Sequence, residues 1–280
     1  MLASVIVFSQ SKSQTIAPKK IKKEAVKEIS KDNTKEVKNS AGKEGSKIDV
    51  VIIDAGHGGK DPGSTSVTKI PEKNYNLQIA KYVAEMLKKN YSDMEVYMTR
   101  TDDTFIDLKE RGRIANEKKG KLFVSIHCNS KLIEETDKSG FEIYIMDAAK
   151  ATDNLKITID ENQILKNNTD SLKGRTEFKN DFILSSMMTN VNRKYSEYIA
   201  GILQTELIKG TQLPNRGILE EQFIVNWTSS MPSILIECGY LSNPKDEAYL
   251  RTKDGQYDVA RAIYKAIRYF KMDYEWENNY

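Results

Sequence analysis

Two histidines and two glutamates in this sequence could together form a hydrolytic metal site. His57 lies in the glycine-rich stretch GHGGKDPG after an apolar run, and His127, the other histidine of the 280-residue chain, ends the run LFVSI. Glu237 ends the run SILI, and Glu72 lies just before an amphipathic stretch that begins near Asn76. Two imidazoles and one carboxylate are typical protein ligands of a catalytic zinc, whose fourth position stays open for water or substrate. The second carboxylate could then act as the base, so the chemistry indicated is hydrolysis of an amide.

Each of these residues also has an ordinary structural interpretation, and for a lone histidine it is that of a core or surface residue. Glu72 could decorate the first turn of a helix, where the helix dipole favours an acid. Glu237 is harder to explain in this way, because an unpaired carboxylate in an apolar strand is costly to bury. A phosphate-binding loop is excluded, since Lys60 is followed by Asp61 and not by serine or threonine.

The elements that would position these residues are short apolar runs alternating with amphipathic stretches. The runs predict buried strands at 48–54, 95–99, 121–127, 141–146 and 233–238. Apolar stripes predict three helices, through residues 77–87, 191–207 (ended by Gly210) and 259–270. This alternation predicts an α/β fold with a mostly parallel central sheet and helices on both faces, whose ligands gather at the carboxyl ends of the strands.

Composition divides the chain into a terminal segment and one catalytic domain. Residues 19–47 contain ten lysines, five acids and few large apolar residues, so they predict a flexible tether; attraction to an anionic surface is the functional alternative. We expect a single domain over residues 48–272, with an insertion at 147–181, and a C-terminal tail over 273–280. A net charge of +3 gives no argument for a nucleic-acid partner.

The first residues predict export. The apolar run from Leu2 to Phe8 resembles the end of a secretory signal that lacks its basic region, and a frayed terminus is the alternative. We therefore expect the periplasm or the cell wall as the location. No stretch approaches the roughly 18 apolar residues of a transmembrane helix, so none is predicted.

Six motifs, in the same order, resemble those of the zinc-dependent N-acetylmuramoyl-L-alanine amidases (amidase type 3), which trim bacterial peptidoglycan. They are IDAGHGGKDPGS, EKNYNLQIA, TRTDDTFIDLKERGRIAN, LFVSIHCNS, RGI and MPSILIECGYLSNP. The resemblance implies that His57, Glu72 and His127 bind one zinc ion and that Glu237 is the catalytic acid or base. It also implies the sheet architecture of phosphorylase/hydrolase-like zinc exopeptidases.

The resemblance further implies the substrate, which is the amide between the lactyl group of N-acetylmuramic acid and the L-alanine of the peptidoglycan stem peptide. Two alternatives stay open at this point. A zinc peptidase acting on cell-wall peptides would need the same ligands and base, and a catalytically silent wall-binding scaffold could keep the pocket.

Two further predictions concern substrate binding and regulation. Arg216 falls shortly before the strand of Glu237 and could meet the anionic stem peptide; a structural ion pair is the alternative. Larger members of the resembled family carry an insertion that can cover the active site until a partner protein removes it. By that resemblance the insertion at 147–181 could place an acid such as Glu161 on the zinc, and an activator protein would relieve it; an ordinary surface loop is the alternative.

The remaining polar and sulfur-containing residues of these motifs predict structural roles. Cys128 and Cys238 directly follow His127 and Glu237, and successive strand residues point to opposite faces. Both thiols should therefore point away from the metal into the packing, with a disulfide as the alternative. Salt bridges and caps are the default expectation for Arg100, Arg111 and Asn116.

Overall fold

A computed structural model describes residues 47–130, 137–146, 189–221 and 223–279. Along the described chain the strands are β1 (Val50–Ala55), β2 (Glu95–Met98), β3 (Leu122–Asn129), β4 (Phe141–Met146), β5 (Asn215–Glu221) and β6 (Ser233–Tyr240). The helices are α1 (Glu72–Asn90), α2 (Leu108–Glu117), α3 (Thr189–Gly210), α4 (Ile224–Trp227), α5 (Pro244–Leu250) and α6 (Lys253–Asn279).

The strands form one sheet in the order β2-β1-β3-β6-β4-β5. Every neighbouring pair is parallel except β4 and β6, which run antiparallel. The prediction of a mostly parallel sheet within a single catalytic domain is confirmed. The central strands β1, β3 and β6 end at the same edge, so the residues that follow them come close together.

Both faces of the sheet are covered. Helices α1, α3 and α6 pack on one face over the larger apolar core, while α2 and α4 lie over a smaller core on the other. In β1, Val51 and Ile53 belong to the larger core and Ile52 to the smaller one. Alternate residues of a strand face opposite sides, so a strand covered on both faces is apolar throughout, which explains the uninterrupted run VVII.

The structure differs from the predicted elements both in helix boundaries and in elements that were not predicted. Helix α1 begins at Glu72, not near Asn76, so Glu72 is the first residue of the helix. Strand β5 and helix α2 were not predicted, since β5 is an edge strand with few apolar residues and α2 is mostly charged. Helix α6 continues to Asn279, which places residues 273–279 in a helix and not in a separate tail.

Two predicted segments, the N-terminal signal-like run with most of the tether and the insertion at 147–181, lie outside the described residues. Among the helices that the structure describes, none combines the length and apolarity needed to cross a membrane.

Candidate metal centre

His57 lies in the loop that follows β1, and its backbone takes a left-handed conformation with φ of 60°. Two buried arginines hold this turn by its carbonyl groups. Arg111 donates to the His57 carbonyl at 2.8 Å and to the Ala55 carbonyl at 2.7 Å. Arg100 donates to the carbonyls of Ala55 and Gly56, both at 2.8 Å. The two guanidinium groups therefore fix the direction in which the His57 side chain leaves the chain.

Arg111 is itself held by a fully buried carboxylate, Asp54, at 2.7 Å. Asp54 also accepts hydrogen bonds from Thr99 at 2.6 Å and from Ser125 at 2.7 Å. Burial alone would raise the pKa of Asp54, but Arg111 and the two hydroxyl groups outweigh burial and lower it. The default expectation of a structural salt bridge for Arg111 is met in this way.

Glu72 lies at the start of α1 with its carboxylate saturated by donors. Asn76 Nδ2 and the Cys128 backbone N–H donate to Oε1 at 3.0 and 3.1 Å. The backbone N–H and the hydroxyl of Ser64 donate to Oε2 at 2.9 and 3.0 Å. Burial would raise the pKa of Glu72, but His57 and His127 hold it well below the ordinary glutamate value. The carboxylate is thus charged and oriented toward both imidazoles.

His127 completes the group from the end of β3. Its Nδ1 lies 3.2 Å from Glu72 Oε1, and His57 Nε2 lies 3.2 Å from the same oxygen. The His127 ring approaches the chain so closely that a Cβ on Gly56 would lie 2.2 Å from its Cε1 atom. Only glycine at position 56 leaves room for this ring.

The three side chains fit a metal ion. Their ligand atoms all lie within 4.8 Å of one another, and all three residues are buried. With bonds of about 2.1 Å and tetrahedral angles, ligand atoms are about 3.4 Å apart, close to the 3.2 Å separations seen here. The structure therefore brings together the three residues that the sequence predicts as metal ligands.

Asp61 supports this group from a second layer, a role that the sequence analysis missed. Its Oδ2 lies 2.8 Å from His57 Nδ1, and its Oδ1 accepts the Gly63 backbone N–H at 3.0 Å. A carboxylate on Nδ1 selects the tautomer whose Nε2 lone pair is available to a metal. The signal in the sequence was an acidic residue four positions after His57 in the same glycine-rich loop.

Glu237 lies beside this group on the neighbouring strand. It is 6% exposed, and in the parallel pairing of β3 with β6 it is the direct partner of His127. Partners on adjacent strands project to the same face, so the Glu237 carboxylate is carried on the same side of the sheet as the His127 ring. The arrangement is three residues that could hold a metal ion, with a further carboxylate next to them.

Residues 51–269 match the protein family described as N-acetylmuramoyl-L-alanine amidase. The chain belongs to this amidase family. The match covers β1 to the second half of α6 and includes every residue of the candidate metal centre.

Individual amidases of the family resemble the chain in sequence and fold. The chain is 29% identical over 227 residues to the amidase AmiC of Escherichia coli O6:H1, covering 80% of this chain and 53% of that protein. The chain thus spans about half the length of this relative. The catalytic domain of CwlV, an amidase from Bacillus (Paenibacillus) polymyxa var. colistinus, is 33% identical with a TM-score of 0.60, covering 80% of this chain and 98% of that one. The CwlD amidase of Clostridioides difficile, solved in complex with the GerS lipoprotein, is 25% identical with a TM-score of 0.57, covering 79% of this chain and 98% of that one.

The other predicted residues lie as follows. Arg216 forms an ion pair with Glu142 at 2.8 Å and is about one-third exposed, so the predicted structural alternative is present and substrate contact stays a prediction. Cys128 and Cys238 are free, buried thiols within the larger core, on the side of the sheet away from Glu237. Glu161 lies outside the described residues, and its regulatory role also stays a prediction.

Arg100 and Asn116 have structural partners. Asn116 donates to the Thr228 carbonyl at 2.9 Å and accepts from the backbone and hydroxyl of Ser230, both at 2.9 Å. It therefore ties α2 to the segment after α4. Burial lowers the pKa of Arg100 to about 10, which still leaves its guanidinium charged at neutral pH.

Proposed function

We propose that this protein is a zinc-dependent N-acetylmuramoyl-L-alanine amidase, which hydrolyses the amide between the lactyl group of N-acetylmuramic acid and the L-alanine of the stem peptide. One observation carries the proposal. His57, Glu72 and His127 converge within 4.8 Å, and Glu237 is paired with His127 on the adjacent strand. Membership of the amidase family supports the muramoyl-L-alanine amide as the substrate, in preference to the peptide bonds that a zinc peptidase would cleave.

Zinc is the ion that suits these ligands, because two imidazoles and one carboxylate are typical of its catalytic sites. The chemistry that zinc supplies when bound is polarisation of the amide carbonyl and activation of water. Glu237 accepts a proton from the attacking water and delivers it to the nitrogen of L-alanine, so that the carbon–nitrogen bond breaks with a neutral amine as leaving group. Asp61 keeps His57 in the tautomer that binds metal.

The proposal extends to location and regulation. The substrate is part of the cell wall, so we place the protein in the periplasm or the wall, in line with the signal-like run at its start. The related CwlD was solved with a lipoprotein partner, which supports an activator protein for this chain as well. In the absence of such a partner, an acid of the insertion at 147–181, such as Glu161, would occupy the open zinc position. A protein lacking residues 150–180 should then be more active than the full chain, and unchanged activity would contradict this regulation.

Substitution of Glu237 by glutamine tests the assigned chemistry. The amide keeps the shape of the side chain but cannot accept the proton, so hydrolysis should fall by about 10²- to 10⁴-fold while one zinc stays bound. Mass spectrometry of purified muropeptides should show intact stem peptides beginning at L-alanine with the wild-type protein only.

Two controls accompany this measurement. A chelator should abolish hydrolysis by the wild-type protein, and added zinc should restore it. Glu117→Gln, a change on the exposed side of α2, should leave hydrolysis unchanged. Full activity of the Glu237→Gln protein would refute the assigned role of this residue. Release of free amino acids without cleavage of the muramic acid link would favour the peptidase.

A further inference from the structure

Glu142 is a second buried carboxylate directly opposite Glu237. The two residues are partners in the antiparallel pairing of β4 with β6 and are 5% and 6% exposed. Like charges in directly opposed positions destabilise a sheet unless other groups compensate them. Glu142 therefore requires an explanation that the proposed mechanism does not supply.

Four donors compensate the charge of Glu142. Its Oε1 accepts from Arg216 Nε and from the Tyr240 hydroxyl, both at 2.8 Å. Its Oε2 accepts from Asn129 Nδ2 at 2.9 Å and from the Tyr144 hydroxyl at 2.8 Å. Burial would raise the pKa of Glu142, but Arg216 and the two tyrosines lower it, so the carboxylate is charged. This network is centred on the residue that is paired with Glu237 across the sheet.

Arg216 contacts Glu142 through a single N–H group. Arginine–carboxylate pairs are frequently bidentate, with two parallel N–H groups on one carboxylate. Here Arg216 gives Glu142 only its Nε–H, and the two oxygens of Glu142 are shared with other donors. The guanidinium also lies over the Tyr240 ring, at 5.5 Å from its centroid, and the side chain is 35% exposed. The contact with Glu142 therefore holds the guanidinium through Nε and does not use its terminal nitrogens.

We propose that Glu142, which lies between Glu237 and Arg216 in the sheet, is a positioning residue that fixes Arg216 as a receptor for a carboxylate of the stem peptide. This inference rests on the proposed function. The planar fork of terminal N–H groups on arginine matches the two oxygens of a carboxylate. The Glu142 and Tyr240 contacts orient that fork in advance, so little side-chain freedom is lost when substrate binds.

The test uses a series of soluble muramoyl peptides in which each stem carboxylate is replaced in turn by a carboxamide. One replacement should lower kcat/KM of the wild-type zinc enzyme by about 10- to 100-fold, mainly through KM, because a charge-assisted hydrogen bond is lost. In the Arg216→Ala protein, kcat/KM for this acid should be as low as kcat/KM for the corresponding carboxamide. Glu142→Gln should reduce the preference for the acid, with rescue of part of it in Glu142→Asp.

A double variant separates positioning from a general structural role. If Glu142 acts through Arg216, Glu142→Gln should not change the acid-to-amide ratio further in a protein that already carries Arg216→Ala. Calorimetric binding of the same peptides to the zinc-loaded Glu237→Gln protein gives a readout that does not depend on turnover. Arg193→Ala removes another arginine, one that is ion-paired to Glu197 and Glu220, and should leave the ratio unchanged.

Several outcomes would overturn the inference. If Arg216→Ala lowers kcat/KM by the same factor for the acid and for the amide, the preference for the acid is unchanged and Arg216 is not a carboxylate receptor. A further loss of this preference in the double variant would show that Glu142 acts independently of Arg216. If Glu142→Gln does not fold, Arg216→Lys replaces it, since lysine keeps the charge but lacks the planar pair of terminal N–H groups. If the lysine variant keeps the full wild-type preference for the acid over the amide, the proposed receptor is refuted. Wild-type protein that binds the peptides but cleaves none would refute the amidase proposal alone, because the binding ratio tests the receptor separately.

Discussion

Replacing Asp54 with asparagine tests whether a buried ion pair supports the loop that carries His57. Asp54 is fully buried and accepts from Thr99, Ser125 and Arg111. Asparagine has nearly the same shape, so the change removes the charge without opening a cavity. It also places an amide NH₂ among three donors, where one of them must lose its acceptor.

The expected loss of unfolding free energy is large, because Arg111 is 2% exposed and would keep a charge without its partner. Removing one member of a buried ion pair costs about 3–5 kcal/mol. Arg111 still donates to the carbonyls of Ala55, His57 and Ile106, and these contacts place the loss toward the lower end of that range.

The dependence on pH has a definite sign. The pKa of Asp54 is lowered in the folded protein, because Arg111 and the hydroxyl groups outweigh burial. A lowered pKa gives stability that is fully present above the unfolded value of about 3.9 and is lost as the pH falls through the folded value. The difference between wild-type and Asp54→Asn proteins should thus be constant at neutral pH and shrink only below about pH 4.

Urea unfolding at a series of pH values measures this difference directly. Glu117→Gln serves as the control, since its ion pair with Arg113 lies on the exposed side of α2 and should give no measurable change. Asp54→Asn protein with wild-type stability at pH 7 would refute the reasoning. A difference that shrinks already between pH 7 and 5 would show that another group is responsible.

Three further predictions concern the metal centre and the thiols. Asp61→Asn should weaken zinc binding by about 10- to 100-fold, because the His57 tautomer is no longer fixed. Competition with a chromophoric chelator measures the affinity, and an unchanged value would contradict the role of Asp61 in orienting His57. Gly63→Ala should weaken zinc binding and lower Tm, since the added Cβ would lie 2.6 Å from the His57 ring on a backbone with a φ of 65°. Gly201→Ala is the control: it lies on a helix, its Cβ meets nothing within 4 Å, and the change should raise Tm slightly. Both cysteines are buried, and burial raises the pKa of the Cys128 thiol. Both should therefore react with a thiol reagent only after unfolding, because the reagent cannot reach them in the folded protein; absence of reactive thiols in urea would indicate a disulfide.

The central strands and three of the candidate site residues were predictable because they share one rule. His57, His127 and Glu237 follow or end apolar runs, and parallel strands bring such ends to one edge of the sheet. Glu72 was a candidate from the sequence, but its assignment as the metal-binding glutamate came only from the family resemblance, since it lies on a helix whose start was placed four residues too late. No pattern in the sequence indicates which loop returns to the strand ends.

The supporting carboxylates were missed for a different physical reason. Asp61 and Glu142 act through contacts with residues that are predicted for other roles, His57 and Arg216. An acid inside the apolar run FEIYIM was a signal for Glu142, because a buried carboxylate requires donors. Its four donors lie on four different strands, from β3 to β6. They meet at Glu142 because β4 is inserted antiparallel to β6, and the sequence alone does not reveal this placement.

The backbone of His57 shows why the metal centre depends on buried charge elsewhere. A left-handed conformation costs a residue with a side chain about 1–2 kcal/mol, which glycine would avoid. Hydrogen bonds from charged donors contribute about 1.5–3 kcal/mol each, so the single bond from Arg111 to the His57 carbonyl is enough to offset the strain. Arg111 can remain buried only because Asp54 balances its charge. The left-handed backbone of His57 is therefore maintained by the Asp54–Arg111 ion pair and not by the conformational preference of histidine. A glycine at position 57 would relieve the strain but would remove a candidate metal ligand.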